Sequence, residues 1–268
     1  NLQQQLVEIG YQGKKLEELE DLSATEKANM LFIVQDPYTS YYDAKVVRDF
    51  VALTQKLGFK PIILPFKPNG KAMHIKGFLA RFSKTAKTQA EFLNRVAKLN
   101  VPLVGVDSAI VLSYRDEYKE ALGDSRGDFH VLTVHEWLTN QLESNALQSA
   151  VKNIVKSDRT FEWHLFPHCT ESTFMPNSPK EWQHIFAQFG QTLKVEKVGC
   201  CGMAGVFGHE VQNQTMSKEI YDVSWGKKLQ GKDPNHCLAT GYSCRSQVKR
   251  YEKAILKHPV QALLEILN

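Results

Sequence analysis

The sequence predicts an α/β protein built from two pseudo-repeated Rossmann-like units with mainly parallel sheets. Three observations lead there. Short apolar runs of strand type alternate with stretches of helical period along most of the chain. The alternation occurs twice, once over 29–122 and again over 161–268. The 268 residues, 43% hydrophobic and 23% charged, are enough for one large core or two smaller ones.

Residues 1–28 are polar and rich in Gln, Glu and Lys. The chain starts at Asn1 rather than Met, and this stretch reads as a linker arriving from an upstream region, with Ser23 and Glu26 forming a cap. Met30–Val34 is the first buried strand. Residues 42–57 place Val46, Phe50, Leu53 and Leu57 on one helical face, and Gly58 stops them. A second strand covers 60–66. Ile75, Phe78, Leu79 and Phe82 suggest a helix, and Phe92, Val96 and Leu99 another. Residues 101–106 form the third strand, followed by a helix through Tyr118. The connection between halves is 123–160, with helical patterns around Trp137 and over 151–155.

The second half opens with a strand over 161–166. Ser178-Pro179-Lys180-Glu181 has the form of a cap, a first-turn proline and a capping-box glutamate. The helix that follows carries Trp182, Ile185 and Phe186 and stops at Gly190. A strand over 192–198, a glycine-rich loop over 199–208 and a helix over 212–229 come next. Residues 237–240 form a strand, 243–257 a long helix and 259–267 a short one. Laid over one another, the halves pair Tyr38 with Cys169, Lys67-Pro68 with Cys200-Cys201, and Ala109 with Cys244. This predicts an internal duplication whose first copy lacks every cysteine.

Composition excludes several classes of function. A net charge of +4 with scattered Lys and Arg gives no footprint for nucleic acid. No apolar run approaches the length of a membrane span. All five cysteines fall between Cys169 and Cys244; the number is odd and two are adjacent. That pattern indicates thiolate ligands in a reducing compartment, the cytoplasm, rather than a disulfide framework.

Cys169, Cys200, Cys201 and Cys244 each follow a predicted strand. In parallel α/β units these loops gather at one sheet edge, where ligands bind, so residues far apart in sequence converge. Soft thiolates suit iron–sulfur clusters and zinc. An adjacent pair such as Cys200-Cys201 suits a cluster better than a zinc knuckle, which favours C-x-x-C. Gly202 and Gly205 allow close backbone approach to a bulky group. Cys237 sits in an apolar strand, as a core residue or a fifth ligand. His168 and His209 are metal or proton-handling candidates, set against plain loop histidines. Arg245 stands beside Cys244 to offset cluster charge, set against a solvated helix face.

The segments Phe166-Pro167-His168-Cys169, Gly199-Cys200-Cys201-Gly202-Met203-Ala204-Gly205 and Thr240-Gly241-Tyr242-Ser243-Cys244-Arg245-Ser246-Gln247 resemble the cysteine-rich CCG domain. That domain occurs in heterodisulfide reductases and in the iron–sulfur components of glycolate, glycerol-3-phosphate and lactate oxidation systems. The similarity covers about residues 30–268 and is strongest to the C-terminal region of large bacterial FAD-linked oxidases of the D-2-hydroxyglutarate or D-lactate dehydrogenase type. The resemblance implies an iron–sulfur cluster of 4Fe-4S type, with zinc the alternative, and FAD held in an upstream domain. It implies as partners upstream flavin and ferredoxin-like domains and an electron acceptor, through which membrane association would arise. The family motif ends in C-x-x-C, whereas here Gly241 takes the first of those positions. At most one cluster site is therefore expected, in the second half. The competing readings are a structural or docking module with zinc or no metal, and thiol–disulfide exchange at the vicinal pair.

Overall fold

The computed structural model describes residues 2–143, 147, 151 and 160–268, so the helical pattern expected over 152–155 lies outside the described residues. The chain forms two compact units, Asn1–Trp137 and Leu138–Asn268. The first holds a parallel sheet of β1 (Met30–Val34), β2 (Lys60–Ile63), β3 (Leu103–Gly105) and β4 (Val131–Thr133), ordered β2-β1-β3-β4. The second holds β5 (Glu162–Phe166), β6 (Thr192–Val195) and β7 (Cys237–Ala239), ordered β6-β5-β7 and again parallel. Two α/β units with parallel sheets are as the sequence predicts. The stretch read as a connection supplies β4.

Central strand β1 is buried along its whole length, which is why it reads as an unbroken apolar run. The helix Ala44–Lys56 packs Val46, Phe50 and Leu53 into the core and stops before Gly58, whose φ of 87° only glycine adopts without strain. The two helical patterns around 75–82 and 92–99 belong mostly to one helix, Leu79–Ala97. Ala86 and Ala90 continue its buried stripe, but their small side chains weaken the periodic signal. Residues 1–28 contain the short helices Leu2–Glu8 and Ala24–Lys27, and bury Leu2, Leu6 and Leu19. The Ser23–Glu26 capping box forms as expected. Tyr11 accepts the N–H of Ile63 at 2.9 Å, so this stretch covers the open edge of β2.

In the second unit the proposed Ser178 cap is replaced. Asn177 is the N-cap residue of the helix Ser178–Gln188, and the Ser178 hydroxyl donates to the buried Glu171 carboxylate instead. The helix predicted over 243–257 ends at Glu252, because Lys253 turns left-handed at φ 56°. The chain beyond then runs beside β7, where the Ala239 N–H donates to the Lys257 carbonyl at 2.9 Å.

Both central strands have five residues, and each pairs its last residue with the last residue of the third strand: Val34 with Gly105, Phe166 with Ala239. The second strands correspond likewise through Ile33–Ile63 and Leu165–Val195. This register sets Pro37, Pro68-Asn69 and Ile110 at the places of Cys169, Cys200-Cys201 and Cys244. Each differs by one residue from the pairing that the sequences alone suggest. Gly70 and Gly202 then coincide, and their φ angles are 79° and 82°. Cys237 falls at the place of Leu103, an apolar core position.

At the corresponding edge the first unit carries two buried carboxylates, at the places of His168 and Gly241. Asp36 and Asp107 lie two residues beyond the paired Val34 and Gly105, and both are buried. Asp36 accepts the N–H groups of Tyr38 (2.8 Å) and Thr39 (2.9 Å). Asp107 accepts those of Ala109 (3.1 Å) and Ile110 (3.3 Å), capping the helix Ser108–Arg115. Burial, and then the neighbouring charge of Asp107, raise the Asp36 carboxyl above the usual carboxylate range. A raised folded-state value favours the protonated form, so the contribution of Asp36 to stability is greatest at acid pH and is lost as pH climbs from the ordinary carboxylate range through about 7. Asp36→Asn is expected to flatten this decline, by up to about 1.4 kcal/mol per pH unit over the range in which one proton is lost. Urea midpoints at several pH values check it; parallel pH profiles for the two proteins would refute the assignment.

Candidate functional site

Parallel pairing of β5 with β6 and β7 puts the loops that follow these strands at one edge of the second sheet. The first loop enters the short helix Cys169–Phe174, with His168 as its N-cap residue. The second is the glycine-rich run after β6. The third enters the helix Tyr242–Glu252, which carries Cys244 in its first turn. Four sulfurs meet there. Cys169 and Cys201 both lie against Cys200, and Cys201 also lies against Cys244. Cys201 and Cys244 are buried, whereas Cys169 and Cys200 are half-buried and face the edge. Among the described residues, no three His, Cys, Asp or Glu side chains are pre-set around a single ion. What is gathered is a chain of sulfurs in contact.

The loop after β6 turns its amides toward those sulfurs. The Gly202 N–H reaches Cys200 Sγ at 3.3 Å, the Ala204 amide also bonds Cys200, and the Met203 amide bonds Cys201. This requires left-handed backbone at Gly202 (φ 82°), Gly205 (71°) and even Ala204 (41°), a strained conformation for a residue with a side chain. A Cβ on Gly202 would stand 2.1 Å from the Ser217 carbonyl oxygen. The neighbouring Cys169 and Cys201 thiols, and after them the Gly202 and Ala204 amides, hold the Cys200 thiol below the ordinary range. The same contacts, with burial, push Cys169 and Cys201 up.

The remaining candidates divide by position. Cys237 lies in β7 with the apolar core, and burial pushes its thiol up to about 11. His168 Nδ1 accepts the Thr170 N–H at 3.3 Å, and the His168 backbone N–H donates to Thr240 Oγ1 at 3.0 Å. Its ring lies on Gly241, where an added Cβ would meet His168 Cδ2 at 2.3 Å. The histidine thus fills the room that the first cysteine of a C-x-x-C would need. His209 is exposed and pairs through Nδ1 with Arg250 at 3.1 Å, away from the sulfurs. Gly205 shapes the turn. Arg245 is only 6% exposed, not on a solvated face, and donates to the carbonyls of Ala239 (2.9 Å) and Thr240 (3.1 Å). It therefore buries a positive charge one residue from Cys244.

Several residues of the site carry no sequence signal of their own. Gln247 Nε2 donates to the Cys201 carbonyl at 2.9 Å, and the Ser217 hydroxyl donates to the Gly202 carbonyl at 2.7 Å. Both side chains are fully buried. Gln247 lies three residues past Cys244 on one helical face, a spacing that links it to the site once the helix is known.

Soft thiols joined with backbone N–H donors are the donor set an iron–sulfur cluster uses. No protein-family model matches the chain. It is 80% identical over 268 residues to the D-2-hydroxyglutarate dehydrogenase of Haemophilus influenzae and 56% identical over 268 residues to that of Escherichia coli. It is 38% identical over 247 residues to that of Pseudomonas putida. These matches take in 100%, 100% and 92% of this chain but 26%, 26% and 23% of those proteins. The chain thus spans about a quarter of the length of the curated relatives it matches. The matched stretch is their C-terminal part. No described helix is long and apolar enough to cross a membrane.

Gly202→Ala is expected to cost at least about 1–3 kcal/mol from the backbone strain alone, with the clash against Ser217 added. Thermal unfolding reads the loss. In brief alkylation of the metal-free protein, Cys169 and Cys200 should be labelled while Cys237 stays unmodified until unfolding. Peptide mass analysis decides, and early labelling of Cys237 would contradict its core placement.

Proposed function

We propose that this chain is the cysteine-rich electron-transfer module of a flavin-dependent 2-hydroxy acid dehydrogenase that acts on D-2-hydroxyglutarate. Cys169, Cys200, Cys201 and Cys244 are the ligands of one iron–sulfur cluster. The observation that carries this reading is the convergence of these four sulfurs, under three backbone amides, at the carboxyl edge of a parallel sheet. The relatives' shared name supports the substrate, and their greater length supports a flavin domain elsewhere in the polypeptide. A cluster, when bound, supplies one-electron transfer between the flavin and an external acceptor.

The chain's own residues hold and tune that site. Amides of Gly202, Met203 and Ala204 stabilise thiolate charge, and so does the buried guanidinium of Arg245. Half-buried Cys169 and Cys200 form the face through which electrons enter or leave, while Cys201 and Cys244 are sealed from solvent. Cys237 serves the core and is not a ligand. The first unit, with Pro37, Pro68, Asn69 and Ile110 at the corresponding places, holds no cluster.

A second reading draws on the contacts of Cys200 with Cys169 and Cys201. A disulfide between two of these sulfurs would take two electrons from the reduced flavin and two protons to give the dithiol, and would re-form as the external acceptor removes the electrons. Anaerobic purification with iron, zinc and acid-labile sulfide analysis separates the readings. Iron with sulfide, lost in Cys200→Ser and Cys244→Ser but kept in Cys237→Ser, is the expected result. Zinc alone would support a structural module. A metal-free protein that accepts two electrons per chain would favour the dithiol, and either outcome would overturn the cluster.

A further inference from the structure

The segment Gly199-Cys200-Cys201-Gly202 is gripped at both ends by one helical segment. The helix Gln214–Tyr221 continues through a π-turn, Asp222–Gly226, into Lys227–Leu229. Ser217 holds the Gly202 carbonyl at 2.7 Å. Seven residues on, Ser224 Oγ accepts the Gly199 N–H at 2.7 Å, and the indole N–H of Trp225 donates to the Gly199 carbonyl at 3.0 Å. The helix rises about 10 Å between Ser217 and Ser224. Three residue steps of extended chain reach at most about 10–11 Å. The helix therefore acts as a ruler laid along the tetrapeptide.

Two further contacts tie this ruler to the other cysteine segments. Trp225 packs on Phe166, three residues before Cys169, with ring centroids 5.2 Å apart. Gln247, on the helix of Cys244, donates both to the Cys201 carbonyl (2.9 Å) and to Ser217 Oγ (2.8 Å). The π-turn has a reason here. Two adjacent residues, Ser224 and Trp225, must both face Gly199, and in a regular α-helix neighbours point about 100° apart. Widening one turn accommodates them, in keeping with the frequent placement of π-bulges at functional sites.

We propose that this segment and its π-turn set the spacing of the Cys200 and Cys201 sulfurs against Cys169 and Cys244, with Ser217, Ser224, Trp225 and Gln247 as positioning residues that touch no metal. The proposal rests on the cluster reading. Ser224 is the most informative position, because it sits at the half-exposed end of the grip and its loss removes one hydrogen bond with little packing.

The test compares the intact wild-type polypeptide with Ser224→Ala, Ser224→Thr, Trp225→Phe and, as a control on the same turn, exposed Val223→Ala. Each is reconstituted anaerobically with iron and sulfide. Ser224→Ala and Trp225→Phe should bind iron about tenfold more weakly, and their reduced clusters should show shifted electron paramagnetic resonance signals. Ser224→Ala should keep the wild-type melting midpoint, Ser224→Thr should restore the wild-type signal, and Val223→Ala should match wild type. Wild-type iron affinity and spectrum in both Ser224→Ala and Trp225→Phe would overturn the proposal. Iron loss that only follows a lowered melting midpoint, without rescue by threonine, would also overturn it. A wild-type protein that takes up neither iron nor sulfide is a separate result, which removes the cluster reading itself.

Discussion

Parallel pairing of β5 with both β6 and β7 is the constraint on which the cysteine edge depends. It points three strand ends the same way and so delivers Cys169, Cys200-Cys201 and Cys244 to one place. An antiparallel neighbour would send one of these loops to the opposite edge. The pairing is held by buried side chains, Trp163, Leu165, Phe166, Leu238 and Ala239, of which Phe166 and Ala239 share one core cluster with Cys201 and Cys244. The apolar core of the unit is therefore also the scaffold that determines the chemistry of its edge.

On that scaffold the loop after β6 works against its own backbone preferences. Left-handed conformations at Gly202, Ala204 and Gly205 are costly, and they persist because buried partners over-determine them. Gln247 and Ser217 take the carbonyls of Cys201 and Gly202, and Arg250 takes that of Gly208. In return the amides of 202–204 face sulfur. A loop with no charged side chain of its own thereby becomes a concentrated donor surface.

Much of this was legible in the sequence, and the exceptions have physical causes. Alternating strands and helices gave the fold class, because both central strands are apolar runs and their helices carry clear stripes. The convergence of Cys169, Cys200, Cys201 and Cys244 followed from the rule that parallel loops share an edge. Register was not legible. Pairing the halves by sequence misses by one residue, since loops carry no periodic signal and only strand pairing fixes the count. Arg245 looked like a surface residue because helical period alone cannot tell a buried charge clasped by carbonyls from a solvated one. Ser217, Ser224 and Trp225 were invisible for a related reason. Their role is to bind backbone, and any sequence can present a backbone carbonyl.

The ring of His168 lying on Gly241 makes these two positions a single composite site in steric terms. While 168 is histidine, 241 admits no side chain at all, so a second cysteine cannot be gained there by one substitution. A chain that exchanges the histidine first loses an N-cap and leaves an empty space beside Gly241. A chain that gains the cysteine first meets a clash. Passage between a one-cysteine and a two-cysteine form of this edge must therefore cross a less stable intermediate, which makes the present cysteine pattern hard to leave by single steps.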